Sequence, residues 1–124
     1  MSQDIVADAL NQIMNAKKRE KKEVEINRIS KVLINLLEMM KERGHIDFEK
    51  VDERTVLIKI LKINECRAIK PRYYVGRHDI DKYLRRFLPS RNFGTLVVST
   101  SKGLMDHDDA FANKLGGSLI AYFY

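Results

Sequence analysis

The run Leu96-Val97-Val98-Ser99-Thr100-Ser101-Lys102-Gly103-Leu104-Met105-Asp106 decides the fold of the second half of this chain. Leu96, Val97 and Val98 make Thr95 to Ser99 a buried strand, because a short continuous apolar run suits a strand covered on both faces. Three hydroxyls, a lysine and a glycine follow. Asp106 is then placed to cap a helix reaching about Leu115, with Asp109 three residues later in a weaker, aspartate version of the capping box. Gly116-Gly117 stops that helix, and Ser118 to Tyr124 forms a last apolar strand. On this reading Ser99–Gly103 is a strand-to-helix connection mounted between two rigid elements.

Working outward, residues 78–87 form a short helix with Asp79 near its start and Arg85 and Arg86 near its end, charges that suit the helix dipole. Pro89 ends it. Pro71 lacks the N–H of a ladder and argues for an edge or bent strand around 68–74. In the first half, residues 4–16 are a helix with Ile5, Ala9, Leu10, Ile13, Met14 and Ala16 on one face and Asp4 at its N-terminus. Val24 and Ile26 alternate with charged neighbours as a short strand. Ser30 caps a second helix, 31–43, with Val32, Leu33, Leu36, Leu37, Met39 and Met40 at helical spacing and Gly44 as its stop. The methionine pair reads as core filler. Ile46 and Phe48 alternate in a strand, residues 51–54 turn, and residues 55–61 form a strong strand. The expected fold class is α+β, with an N-terminal α-β-α-β-β domain over residues 1–62 and a C-terminal domain over 63–124, mostly β with short helices.

A chain of 124 residues suits one domain or two very small ones. The net charge is +6, and it is uneven. Residues 17–31 carry seven Lys/Arg against three Glu, and residues 67–92 carry eight against two Asp. Two basic zones on a near-neutral body favour a polyanionic partner. The single cysteine, Cys66, precludes an internal disulfide and points to a reducing compartment. No apolar run reaches the roughly 20 residues a membrane span needs, and the N-terminus has no secretory pattern. The expectation is a cytosolic or nuclear protein with no membrane association.

Ser99-x-x-Lys102 has the spacing of a serine acyl-enzyme motif, but that chemistry needs a helix N-terminus and supporting Ser-Asp-Asn and Lys-Thr-Gly elements that this sequence lacks. Lys102-Gly103 reverses the order of a phosphate loop and has one glycine where the Walker pattern needs two. Asp106-His107-Asp108-Asp109 places neighbours on different sides of a helix, so it reads as an acidic first turn rather than a metal site. His45, His78 and Cys66 have no partners at zinc spacing. No cofactor or metal is expected. What remains for Ser99, Thr100, Ser101, Lys102 and Gly103 is hydrogen bonding to an irregular anionic surface such as RNA, set against a plain connection with hydroxyl turns. Lys70, Arg72, Tyr73, Tyr74 and Arg77 mix cations with aromatic rings, a composition suited to phosphates and stacked bases but also to an ordinary strand. A small enzyme built on Ser99 and Lys102, and a protein-interaction module using the aromatic C-terminal strand as an exposed edge, are the other two function classes.

Several segments together resemble the universal small-subunit ribosomal protein eight family. They are Asp-Ile-Val-Ala-Asp-Ala-Leu-Asn-Gln-Ile-Met-Asn (4–15), Ser30-Lys31, Gly44-His45-Ile46, Asn64-Glu65-Cys66-Arg67-Ala68-Ile69-Lys70-Pro71-Arg72-Tyr73, and Val98-Ser99-Thr100-Ser101-Lys102-Gly103-Leu104-Met105 with Gly116-Gly117 beyond it. Leu88-Pro89-Ser90-Arg91-Asn92-Phe93-Gly94 and the aromatic C-terminus are similar to the archaeal and eukaryotic branch. The resemblance covers almost the whole chain. It implies two small α/β domains packed together and a non-enzymatic protein of the small ribosomal subunit. Such a protein binds a bulged helix in the central domain of small-subunit rRNA, not DNA, and supports assembly and translation beside neighbouring ribosomal proteins. It implies that Ser99–Gly103 touches the irregular RNA and that Lys70, Arg72 and Tyr73 form a second basic surface. Asn15, Lys17, Lys18, Ser30 and Lys31 would meet RNA backbone from the N-terminal domain. It implies a cytoplasmic location in the cytosolic ribosome, nucleolar during assembly in a eukaryote. Arg67 departs from the family's pattern, which has glycine there. Either the backbone differs locally or Arg67 adds a phosphate contact. The segment from Phe48 to Thr55 also looks shorter than in relatives.

Overall fold

A computed structural model of the chain describes residues 5–69, 74–89 and 93–124. The chain divides into two compact units, Met1–Cys66 and Arg67–Tyr124. The architecture is α+β, helices with antiparallel sheets, in both.

The first unit runs α1 (Ile5–Lys18), β1 (Glu23–Ile26), α2 (Lys31–Glu42), β2 (Ile46–Lys50) and β3 (Val56–Ile60), the α-β-α-β-β order that the hydrophobic periodicity predicts. Its sheet has the order β1-β3-β2, all antiparallel. Ile58 has Val24 and Phe48 as its cross-strand partners, and Val56 has Ile26 and Lys50. Ile26, Ile46, Val56 and Ile58 are buried from this face, and α1 and α2 supply Leu10, Ile13, Leu33, Leu36, Leu37 and Met40 to the same core. Val32 is exposed and Met39 half-buried, so only part of the expected α2 stripe faces inward.

Local chemistry fixes the ends of these elements. The Ser30 hydroxyl accepts the Leu33 N–H at 3.2 Å, as the sequence predicts for an N-cap. At the other end of α2 the N–H of Gly44 donates to the Lys41 carbonyl and that of His45 to the Met40 carbonyl, the paired closure of a Schellman motif. The same pair of bonds closes α1, with Glu20 in glycine's place at φ 59°. The segment between β2 and β3 is tied by Asp52, whose carboxylate accepts the N–H groups of Arg54 and Thr55, each at 2.8 Å. The Arg54 amide, ahead of the other contacts, holds the Asp52 carboxyl below its ordinary range. Asp4, expected at the start of α1, lies outside the described residues.

The second unit contains β4 (Cys66–Ala68, beginning at the boundary), β5 (Tyr74–Val75), a 3-10 turn (Arg77–Asp79), α3 (Ile80–Phe87), β6 (Thr95–Thr100), β7 (Gly103–Asp106), α4 (His107–Ala112) and β8 (Gly117–Phe123). The sheet order is β4-β8-β6-β7, and β5 also pairs with β8. One core joins Ile80, Leu84 and Leu88 from α3 and its end, Ala110 from α4, and Leu96, Val98 and Leu119 from the sheet. Tyr83, Phe87, Tyr122, Tyr124 and Phe93 continue it as a chain of rings with centroids 5.4–6.5 Å apart, a spacing that favours aromatic contact.

Three expectations fail here. Ser99–Gly103 does not lead into a helix: Gly103–Asp106 is a strand, β7, folded back on β6 with Thr100 opposite Gly103. The turn holds two residues, Ser101 and Lys102, and carries none of the Asn-Gly signal of the commonest two-residue hairpins. Second, the helix capped by Asp106 ends at Ala112, and its C-terminal turn is closed by Lys114 at φ 59°, not by Gly116-Gly117. Gly117 belongs to β8 instead. Third, the aromatic C-terminal strand is not an edge, because β8 has β6 on one side and β4 and β5 on the other. Arg67 lies in the ordinary extended backbone of β4 and outside the positive-φ set, so the chain accommodates arginine without a left-handed residue.

Candidate nucleic-acid interface

The β6–β7 hairpin is the centre of the candidate site. Its hydroxyls divide rather than converge, because successive strand residues face opposite ways. Thr100 is engaged within the turn: its hydroxyl donates to the Gly103 carbonyl at 2.8 Å and accepts the Lys102 N–H at 3.1 Å. Gly103 has φ 112°, which a residue with a Cβ adopts only under strain. Together they brace a turn whose tip, Ser101 and Lys102, is exposed. Ser99 is half-buried and belongs to a different row, with Leu104 opposite it on β7 and Ser118 opposite it on β8.

The base of the hairpin is set by a close approach. A Cβ added to Gly117 would meet the carbonyl oxygen of Ser99 and come within 2.8 Å of its carbonyl carbon and 3.2 Å of the Thr100 Cα. Those are backbone atoms, so β8 reaches this register only because residue 117 has no side chain. A bulge nearby, where Val97 pairs with Ala121 but Val98 with Leu119, leaves Ile120 as the extra residue of β8. Behind the hairpin, Asp106 caps α4 by accepting the Asp109 N–H at 2.7 Å. His107 is buried with Nδ1 accepting the Leu96 N–H at 3.1 Å. Two members of the acidic run therefore have structural tasks, and among the described residues no group of three His, Cys, Asp or Glu is placed to hold a metal ion.

The remaining predicted residues are spread over both units. Arg67 is exposed on β4. Lys70, Arg72 and Tyr73 lie outside the described residues. In the first unit, Asn15 is exposed on α1 and lines a groove of about 340 Å³ with Gln12, Arg19, Lys21, Glu23 and Glu25. Lys17 donates to the Asn64 carbonyl at 3.1 Å, and Lys18 is exposed at the helix end. Ser30 and Lys31 open α2, outside that groove, and no acidic residue occupies the helix's first turn. The N-terminal set thus occupies two places, the end of α1 and the start of α2.

Sequence reasoning named Tyr74 but not the residue opposite it. Tyr74 and Ser118 are cross-strand partners, and Ser118 is in turn the partner of Ser99. The signal for Tyr74 was its place among arginines. Ser118 carried none, because its relation to Ser99 depends on pairing across the sheet.

An exposed hairpin of hydroxyl, amide and ammonium groups, braced by its own threonine, has the chemistry to meet a larger polar partner. It does not enclose a small molecule. The comparisons with known proteins give the family. The family model for ribosomal protein S8 matches residues 4–124. Two Schizosaccharomyces pombe proteins, small ribosomal subunit proteins uS8A and uS8B, are each 39% identical over 127 aligned positions that cover 98% of this chain and 98% of theirs. The chain belongs to the ribosomal protein S8 family, as a member of eukaryotic type. The family's proteins are structural, non-enzymatic components of the ribosome, so the acyl-enzyme reading of Ser99 and Lys102 is set aside. No helix among the described residues is long and apolar enough to cross a membrane.

Proposed function

We propose that this protein is a structural constituent of the small ribosomal subunit that binds a bulged helix in the central domain of small-subunit rRNA and supports subunit assembly and translation. The names of the two Schizosaccharomyces pombe relatives support the subunit. The observation that carries the RNA reading is the braced hairpin: Ser101 and Lys102 stand at an exposed tip whose turn is closed by Thr100 and Gly103. A preformed turn presents its ammonium and hydroxyl groups without a large ordering cost, which suits a splayed, irregular RNA. Lys102 supplies a phosphate contact, and Ser99, Ser101 and the backbone of Gly103 supply hydrogen bonds. Lys70, Arg72 and Tyr73 supply a second set of contacts to RNA, and Arg67 adds a phosphate contact. Asn15, Lys17, Lys18, Ser30 and Lys31 meet RNA backbone from the first unit, where the uncompensated positive end of α2 favours an anion. Neighbouring ribosomal proteins complete the surroundings, and the location is the cytosolic ribosome, with assembly in the nucleolus.

The test compares binding to the bulged helix with binding to the same helix after the bulges are paired. The expected result is a clear preference for the bulged RNA, weakened when Ser101 and Lys102 are replaced by alanine. Equal affinity for the two RNAs would overturn the reading.

A further inference from the structure

The three-stranded sheet of the first unit ends on one side at β1, and that edge is open. The N–H of Ile60 donates to the Lys22 carbonyl at 2.8 Å. Lys22 and Ile60 are therefore a hydrogen-bonded pair, one step beyond Glu23 and Lys59 in the register. Such pairs alternate along an antiparallel ladder. Val24 and Ile26 thus direct their backbone groups at β3, and the N–H and C=O of Glu23 and Glu25 point away from it. Among the described residues no backbone group bonds to them. The opposite edge differs. There the outward amide at the middle of β2, that of Phe48, is occupied by the Asp47 carboxylate at 2.8 Å, so a side chain blocks the pairing that a bare edge invites.

The open edge lies in a furrow. The groove of about 340 Å³ beside Asn15 runs between β1 and the face of α1 that carries Gln12, Ala16 and Arg19. A second hollow, of about 140 Å³, shares Gln12 and continues to Asp8 and Ile26. The four residues of β1 span roughly 13 Å, and the furrow follows them from end to end. Of the residues proposed for RNA only Asn15 lines it, and Lys17 and Lys18 do not. The charges beside the edge select the occupant. On the sheet's outer face Glu23 has Lys59 opposite it, but the row of Glu25, Leu57 and Glu49 holds two carboxylates and no cation. RNA phosphates are repelled there. A second copy of this chain, paired edge to edge, would set Glu23 and Glu25 against their own kind. A strand with a cation opposite Glu25 meets neither obstacle.

We propose that the free edge of β1 docks an extended segment of another protein as a fourth strand, with a lysine or arginine opposite Glu25 and a small apolar residue next to it. The segment's backbone bonds to the N–H and C=O groups of Glu23 and Glu25, as in other cases of strand addition. Its cation lies on the outer face beside the Glu25 carboxylate. The neighbouring side chain points inward, toward Val24 and the small Ala16. Gln12 and Asn15, which line the furrow from α1, offer amides that donate and accept along the segment's far edge. This contact goes beyond the RNA reading and needs no RNA.

The experiment titrates the isotope-labelled full-length protein with a synthetic peptide of about nine residues, valine alternating with threonine and arginine at the central outward position. At millimolar peptide the amide resonances of Glu23 and Glu25 should shift and exchange with solvent about tenfold more slowly. That of Phe48 should not move. A peptide with glutamate in place of arginine should bind about fivefold more weakly. Glu25→Gln should weaken the arginine peptide about two- to fivefold, the range of one exposed charge pair. Glu25→Pro also removes an outward N–H that the ladder to β3 does not use, so the sheet survives and binding falls about tenfold further. Far-UV circular dichroism checks the fold of both variants. A photoreactive residue placed at position 25 in assembled small subunits then identifies the occupant, which should be a protein segment with a lysine or arginine in an extended stretch. The proposal is overturned if the Glu23 and Glu25 amides do not respond to the arginine peptide or if the glutamate peptide binds equally well. It is also overturned if position 25 crosslinks to rRNA, to a second copy of this chain or to nothing. Failure of the protein to distinguish bulged from paired RNA is a separate result, which defeats the RNA reading and leaves this edge untouched.

Discussion

Two residues hold backbone conformations that their side chains resist. Glu20 and Lys114 sit at the left-handed C-terminal positions of α1 and α4, both at φ 59°. That conformation costs a residue with a Cβ roughly 1 kcal/mol or more, and glycine little. Glu20→Gly and Lys114→Gly should each raise stability by about 0.5–1 kcal/mol, after the extra freedom of glycine in the unfolded chain is subtracted. Urea denaturation midpoints at constant slope measure this. Gly117 is the opposite case. Gly117→Ala drives a methyl into the backbone of Ser99 and Thr100 and should cost about 2–3 kcal/mol. Gly76→Ala is its control: nothing lies within 4 Å of the new methyl and the backbone there is extended, at φ −77°, so stability should hold or rise slightly. Equal effects of the two changes would mean that the close approach of β8 is not rigid.

At the scale of elements, Thr100 makes the hairpin a unit. Its hydroxyl bridges the Gly103 carbonyl and the Lys102 N–H. Thr100→Ala should remove both bonds, speed hydrogen exchange at the Lys102 amide and cost roughly 1 kcal/mol. Thr100→Ser should keep both. If alanine and serine behave alike, the hydroxyl does not brace the turn. The elements also differ in how much of them was legible beforehand. The helix α2 was readable from residue types alone, because Ser30, the leucines and Gly44 each act locally. The strand β7 was not. Gly103-Leu104-Met105-Asp106 is short, and its pairing with Val97–Thr100 is a tertiary fact with only a two-residue turn between them. The task of Gly117 was hidden for a related reason. Two glycines after a helical pattern match a helix stop, while the contact that requires one of them comes from a strand seventeen residues earlier. The candidate site divides the same way. Ser101, Lys102 and Gly103 were visible as a local run, and the Tyr74–Ser118–Ser99 row exists only once the sheet has formed.

For the whole molecule, charge placement matters more than net charge. The outer face of the first unit's sheet carries Glu23, Glu25, Asp47 and Glu49, with Lys59 between Glu23 and Asp47 and Leu57 between Glu25 and Glu49. Asp47 is also held by Lys41 at 3.2 Å, an ion pair that, with the Phe48 amide, keeps its carboxyl below the ordinary range. An RNA backbone is repelled by such a face, so affinity should track the cations elsewhere. Replacing Lys17 and Lys18 together by alanine should reduce the slope of log affinity against log salt by about 1.5 units, or roughly 0.7–0.9 for each phosphate no longer neutralised. The preference for bulged over paired RNA should stay unchanged, since phosphate contacts position the protein without reading the RNA's shape. A change of preference in that variant would place the end of α1 in recognition as well as attraction.

The position of β8 has a consequence for synthesis. Every strand it pairs with, β4, β5 and β6, precedes it in the chain. A chain leaving the tunnel of the ribosome that makes it can complete its first unit once residue 66 has emerged, but the second sheet lacks one of its two interior strands until residue 123 is out. For that interval β6 offers an unpaired edge lined by Leu96, Val97 and Val98, the kind of surface that invites misassociation or a chaperone. Arrested chains ending at residue 116 should therefore show a protease-resistant first unit and a sensitive second one, and resistance in both would show that β8 is dispensable for the second fold.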